Sequence, residues 1–109
     1  MAKVDTGGVV TSVGEPQGNG FPLLPRLHQN YPNPFNSDTI IRYELPKREH
    51  VILKVFDLLG RQVTVIADGI ESAGEHTVAF KANNLSSGVY LYRLITSHSA
   101  QTNKMLLLR

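Results

Sequence analysis

The chain has 109 residues, 41% hydrophobic and 18% charged, with a net charge of +2. That length holds one domain, able to bury roughly 60–70% of its unfolded surface, and the composition is globular rather than disordered. The 11 Lys and Arg are scattered, with Lys47-Arg48 the longest basic run, which argues against a nucleic-acid footprint; zero Cys excludes disulfide staples and thiolate metal sites.

The N-terminal "MAKVDTGGVV" has no apolar segment of the kind a signal peptide needs, and no apolar run in the chain approaches the ~20 residues of a membrane span. A Met-Ala start ahead of a polar stretch fits a domain cut from a longer protein. Zero Cys also fits life outside a reducing cytosol. Residues 1–26 read as a flexible linker, small, polar and glycine-rich through "TGGVVTSVGEPQGNG". Within it, residues 21–26 ("FPLLPR") are held extended by Pro22 and Pro25. They form an apolar strap along a sheet edge or over the core, or simply continue the linker. The domain proper is expected over residues 27–109.

"QNYPNPFNSDT", from Gln29 to Thr39, packs three Asn, two Pro and two aromatics ahead of the first clear strand. Pro32 and Pro34 bias Tyr31 and Asn33 to extended conformations. The Asn and Asp side chains can satisfy loop backbone groups. Phe35, more than Tyr31, is expected to plug the open end of a core. Asn33, Asn36 and Asp38 are hard oxygen donors for calcium, but only Asp38 is charged, which argues against a tight site.

Strands follow. "TIIRYEL" alternates, with Ile41, Tyr43 and Leu45 on one face. Pro46 stops it and "KREH" turns. "VILKVFD" puts Val51, Leu53 and Val55 together. In "DLLGR", Asp57 caps backbone N–H groups and Gly60 supplies positive φ for a hairpin. "QVTVI" is a short strand that ends at an Asp68-Gly69 turn, and "ESAGE" is a loop. "EHTVAF" places His76, Val78 and Phe80 on one face, and "KANNLSSG" is a loop. "VYLYRLIT" is apolar on both faces, as a central strand would be. "SHSAQT" turns into the final strand "NKMLLLR". Six strands are clear and the strap offers a seventh. An all-β antiparallel sandwich of immunoglobulin or fibronectin type, with about seven strands, is predicted.

Chemistry is sparse. His28, His50, His76 and His98 fall in different elements without metal-ligand spacing. His76 reads as a rim histidine bonded to backbone. Carboxylates show no converging dyad, and Ser86-Ser87-Gly88 reads as a turn feeding a strand rather than a nucleophile elbow. No cofactor is expected, and the chain is not expected to be an enzyme.

"QNYPNPFN", "TIIRYELP", "VILKVFDLLGRQV", "AGEHTVAF", "SGVYLYRL" and "KMLLLR" occur in an order that resembles the type IX (Por) secretion system C-terminal sorting domain. The similarity covers roughly Leu27 to Arg109. Its motif residues here are Asn33, Pro34, Phe35, Asn36, Asp57, Gly60, Gly88 and Tyr90. Ser37-Asp38, Phe80 and "KANN" depart from the family pattern in ways a sandwich tolerates. The immunoglobulin-like domain of flagellar hook-capping proteins is similar as well.

The resemblance implies a module on an exported cargo, which crosses the inner membrane by its own signal peptide and is recognised from the periplasm by an outer-membrane translocon. In better-known members a sortase-like peptidase removes the module and the cargo is attached to the cell surface. The expected partners are that machinery and an upstream cargo domain, with no nucleic acid. The recognition segment is expected at Lys104, Met105, Leu106, Leu107, Leu108 and Arg109, where an edge strand could offer free N–H and C=O groups to a receptor strand. Half of its side chains would be core, because strand faces alternate. The alternative is a non-catalytic spacer, adhesion or carbohydrate-binding module of a larger extracellular enzyme. A carbohydrate platform would need exposed aromatics in a row.

Overall fold

A computed structural model describes residues 24–109. Their strands are β1 (Arg26–Leu27), β2 (Asp38–Leu45), β3 (Glu49–Asp57), β4 (Gln62–Glu71), β5 (Gly74–Lys81), β6 (Gly88–Ile95) and β7 (Ala100–Leu107). They form two antiparallel sheets, ordered β1-β2-β5 and β4-β3-β6-β7. The all-β sandwich expected from period-two patterning is the fold. Its fourth strand pairs with β3; in the constant-immunoglobulin order the fourth strand instead joins the first, second and fifth.

Alternation builds the core. Ile41, Tyr43 and Leu45 of β2 face Val51, Leu53 and Val55 of β3, and β6 and β7 add Tyr92, Leu94, Met105 and Leu107; all are buried. Phe80 closes the β5 side, with Val78 packed beside it. β6 lies between β3 and β7; Tyr90, Tyr92 and Leu94 are buried on its inner face, while Val89, Leu91 and Ile95 are half-buried on the outer one. Arg26 and Leu27 pair with Glu44 and Tyr43, so the described end of the strap is a short edge strand. The rest of the strap, and residues 1–20, lie outside the described residues.

Three boundaries differ from the sequence reading. The "KREH" turn shrinks, because Glu49 and His50 pair with Glu71 and Ile70. The "SHSAQT" turn also shrinks: Thr96 N–H donates to the Ser99 carbonyl (2.9 Å), and β7 begins at Ala100. The Asp68-Gly69 turn does not form. Both residues pair with β3, opposite Ile52 and Val51, and β4 runs on to Glu71. Asp-Gly favours a turn only when no partner strand competes, and β3 offers a ladder along the whole length. β4 absorbs two register shifts against β3, leaving Val63 and Ile66 as extra residues. Both extra side chains pack against the core.

Candidate functional site

The lead-in segment is held by polar groups turned inward. His28 N–H donates to the Arg42 carbonyl (2.9 Å), and Tyr31 exchanges both backbone bonds with Ile40 (3.0 and 2.9 Å). Between them the chain bows, and Asn30 is 2% exposed. Its Nδ2 donates to the Pro32 carbonyl (3.1 Å) and Thr39 Oγ1 (2.9 Å), and its Oδ1 accepts Gln29 Nε2 (2.6 Å). Its backbone N–H donates to the buried Tyr92 hydroxyl (2.8 Å), which itself donates to the His28 carbonyl (2.7 Å). A buried amide with every group used fixes one path for the chain. Burial raises the Tyr92 pKa, so this hydroxyl keeps its proton and stays a donor. The Tyr31–Pro32 and Asn33–Pro34 bonds are cis.

This path ends on β7. The strand is outermost in its sheet, yet its outward backbone groups near the end are largely occupied. Leu106 N–H donates to Asn33 Oδ1 (2.9 Å), and the Leu106 carbonyl accepts Phe35 N–H (3.0 Å). Leu108 N–H donates to the Phe35 carbonyl (2.9 Å), and the Lys104 carbonyl accepts Gln29 Nε2 (2.7 Å). The expected free edge is therefore covered from Lys104 to Leu108 in the folded chain. Phe35, 2% exposed, anchors the cover with its ring edge-on to Phe80 at 6.3 Å. Pro34 and Asn36 flank it, beside Leu108. Asn33 Oδ1, considered as a calcium donor, is spent on the chain itself.

Farther up β7, side chains replace backbone pairing. Leu27 N–H donates to Gln101 Oε1 (2.9 Å), Asn103 Nδ2 donates to the Leu27 carbonyl (3.3 Å), and Gln101 Nε2 donates to the Pro25 carbonyl. The sequence reading missed this seam. Its signal was present: Gln101 and Asn103 share the strand phase of Met105 and Leu107, and amides on a core phase need partners.

Within the predicted recognition segment, Met105 and Leu107 are core, at 1% and 0% exposure. Leu106 is half-buried, and Lys104, Leu108 and Arg109 are exposed on the outside. Arg109 N–H donates to Ser87 Oγ (2.9 Å) and its Nε to the Leu85 carbonyl (2.6 Å), tying the chain to the β5–β6 loop.

The remaining motif residues shape turns. Asp57 Oδ1 accepts the N–H groups of Leu59 and Arg61 (both 2.9 Å), and Oδ2 accepts Arg61 Nε (2.8 Å). These bonds, the Arg61 backbone bond foremost, hold its carboxyl below the usual range. Gly60 has φ +83° and Gly88 φ +153°, both conformations other residues resist. Tyr90 lies in β6, with its hydroxyl donating to the Ser86 carbonyl (2.7 Å).

At the β4–β5 corner, His76 Nε2 donates to the Ser72 carbonyl (2.8 Å), and its ring stacks on Tyr43 at 5.4 Å. The Tyr43 phenol donates to Glu71. Burial first, then that carboxylate, push its pKa far up, so it stays neutral. Among the described residues no cluster of three or more His, Cys, Asp or Glu converges, and no described helix is long and apolar enough to cross a membrane. Tyr31 is the one strongly exposed aromatic among them, at 80%, and one ring does not make a row.

These features define a class: a two-sheet β-sandwich module whose last described strand is sealed by its own lead-in. The family model described as "Secretion system C-terminal sorting domain" matches residues 29–108, and the chain belongs to that family. The match begins at the Gln29 that reaches Lys104 and ends at the Leu108 bonded to Phe35. Comparison with curated proteins and with solved structures returns no match. The domain is a sorting signal for type IX secretion, and its family is in general non-catalytic.

Proposed function

We propose that the export machinery reads this domain folded, through outward side chains of its last strand and the residues after it: Lys104, Leu106, Leu108 and Arg109. The observation behind this reading is the covered edge. Leu106 and Leu108 already spend their outward backbone groups on Asn33 and Phe35, so a receptor strand could pair there only by displacing a buried Phe. The outward side chains stay available. The partners are an outer-membrane translocon met from the periplasm and a sortase-like peptidase that releases the cargo for surface attachment. The residues before β1 serve as the linker to an upstream cargo domain, and the module itself performs no catalysis.

The test is export of a signal-peptide-bearing reporter fused to the full chain, in a type IX host. Deleting Lys104–Arg109 would remove buried Met105 and Leu107 and so confuse unfolding with lost recognition. Lys104→Glu with Leu108→Asp changes only outward positions. Export should fall about tenfold or more, as a reversed charge and a lost apolar contact predict, while thermal melting stays near wild type. Undiminished export of the folded variant would place recognition elsewhere.

A further inference from the structure

The outer face of the β4-β3-β6-β7 sheet carries positive charge that no described acidic residue pairs. Lys54 and Arg93 are direct cross-strand partners between β3 and β6. Both point outward, because Leu53, Val55, Tyr92 and Leu94 beside them are buried. Lys104 continues the row diagonally on β7, opposite Leu91. Like charges directly opposite each other destabilise a sheet. Among the described residues, none of these three cations contacts a carboxylate; the ion pairs present are Arg42–Glu75 and Arg61–Asp57, and His28, His50 and His76 contact Glu44, Asp68 and Glu71.

Arg93 is also pre-aimed. Its guanidinium lies over the Phe56 ring at 5.5 Å, and Nε donates to Thr102 Oγ1 (3.0 Å). Its two terminal nitrogens have no partner among the described residues, which leaves the half of the fork that grips a carboxylate. Apolar cross-strand pairs flank the row: Ile52 opposite Ile95 on one side, Phe56 opposite Leu91 on the other. An antiparallel sheet ordinarily presents polar side chains on a solvated face. Here that face combines cations and apolar pairs, and Leu106 of the last strand lies on it.

We propose that this face is the docking surface for a protein of the export apparatus that presents carboxylates flanked by apolar side chains. The proposal rests on the sorting reading and extends it from the last strand to the whole sheet face. Charge complementarity selects the occupant. Lys54 and Arg93 lie between the apolar pairs, with Lys104 beside Leu91 on the outermost strand, as they would to meet a discrete acidic group in a dry contact. A lipid surface would favour apolar residues projecting beyond a cationic rim at headgroup level.

The experiment uses the full chain fused to the exported reporter. Lys54→Glu with Arg93→Glu is compared with Lys47→Glu and Arg48→Glu, an equal charge reversal in the β2–β3 turn. Protease resistance and melting temperature verify folding, and Lys54→Gln with Arg93→Gln serves as a milder second variant. The face reversal should cut export about tenfold or more, as like-charge contacts across an interface do. The milder variant should fall between, and the turn reversal should leave export unchanged. Equal export from the folded face variants, or equal loss from the turn reversal, overturns the proposal. So does saturable binding of the wild-type chain to phosphatidylglycerol vesicles that the face reversal abolishes, which would assign the face to lipid. Failure of the wild-type fusion to leave the cell would instead defeat the sorting reading itself.

Discussion

At the scale of single residues, stability concentrates where a buried group has one answer. Phe35 fills the end of the core, so Phe35→Ala should cost roughly 3 kcal/mol or more by chemical denaturation. A loss under about 1 kcal/mol would mean the ring is not the plug its burial indicates. Asp57 yields a pH dependence. Its folded pKa is depressed, so the native state holds its protons less tightly than the unfolded chain. Its contribution is complete above the unfolded value of about 3.9 and is lost as pH falls through the lower folded value. Asp57→Asn should therefore flatten the acid limb of a stability–pH curve between about pH 5 and pH 2; parallel curves would contradict this. Both residues were legible in the sequence, Asp57 from the spacing of its turn and Phe35 from its place among turn-formers. Asn30 was not, because its burial depends on Tyr92 and Thr39, and no local pattern reports a distant hydroxyl.

At the scale of elements, the two ends of β4 show why local signals succeed or fail. Gly60 behaves as its motif suggests, since a hairpin is closed by local bonds. Gly69 follows its partner instead: opposite Val51 it is an ordinary extended residue, and a Cβ there would meet nothing within 4 Å. Gly69→Ala should thus stabilise by about 0.4–1 kcal/mol, whereas Gly60→Ala and Gly88→Ala, at positive φ, should destabilise by more. Urea midpoints for the three variants would decide the matter, and a destabilising Gly69→Ala would restore the turn reading. The lead-in makes a second prediction at this scale. If Asn33 and Phe35 seal the last strand, the Leu106 amide should exchange slowly with solvent, and Asn33→Ala should speed it selectively over the Leu94 amide. Equal protection in the variant would mean the seal does not depend on Asn33. Here the sequence showed the motif but not its target: "NPFN" and "KMLLLR" lie some 70 residues apart, at separations of 73 for Asn33 to Leu106 and 75 for Gln29 to Lys104.

At the scale of the whole molecule, the seal ties the lead-in to the last strand. The lead-in covers the backbone of the last strand, the side chains of Gln101 and Asn103 close the seam above it, and the outer sheet face stays open. On the proposed reading the signal is carried by the folded shape. Period-two patterning was enough to give the sandwich and its core faces, because each strand reports its own burial. The open face was harder to see, since Lys54, Arg93 and Lys104 come from three strands and meet only through register. The most direct measurement is where a signal-peptide-bearing reporter accumulates when fused to this chain, in a type IX host and in the same host lacking the outer-membrane translocon. The expected result is reporter in the medium or on the cell surface only when both the chain and the translocon are present. Reporter held in the periplasm of the intact host, or released equally from both strains, would contradict it.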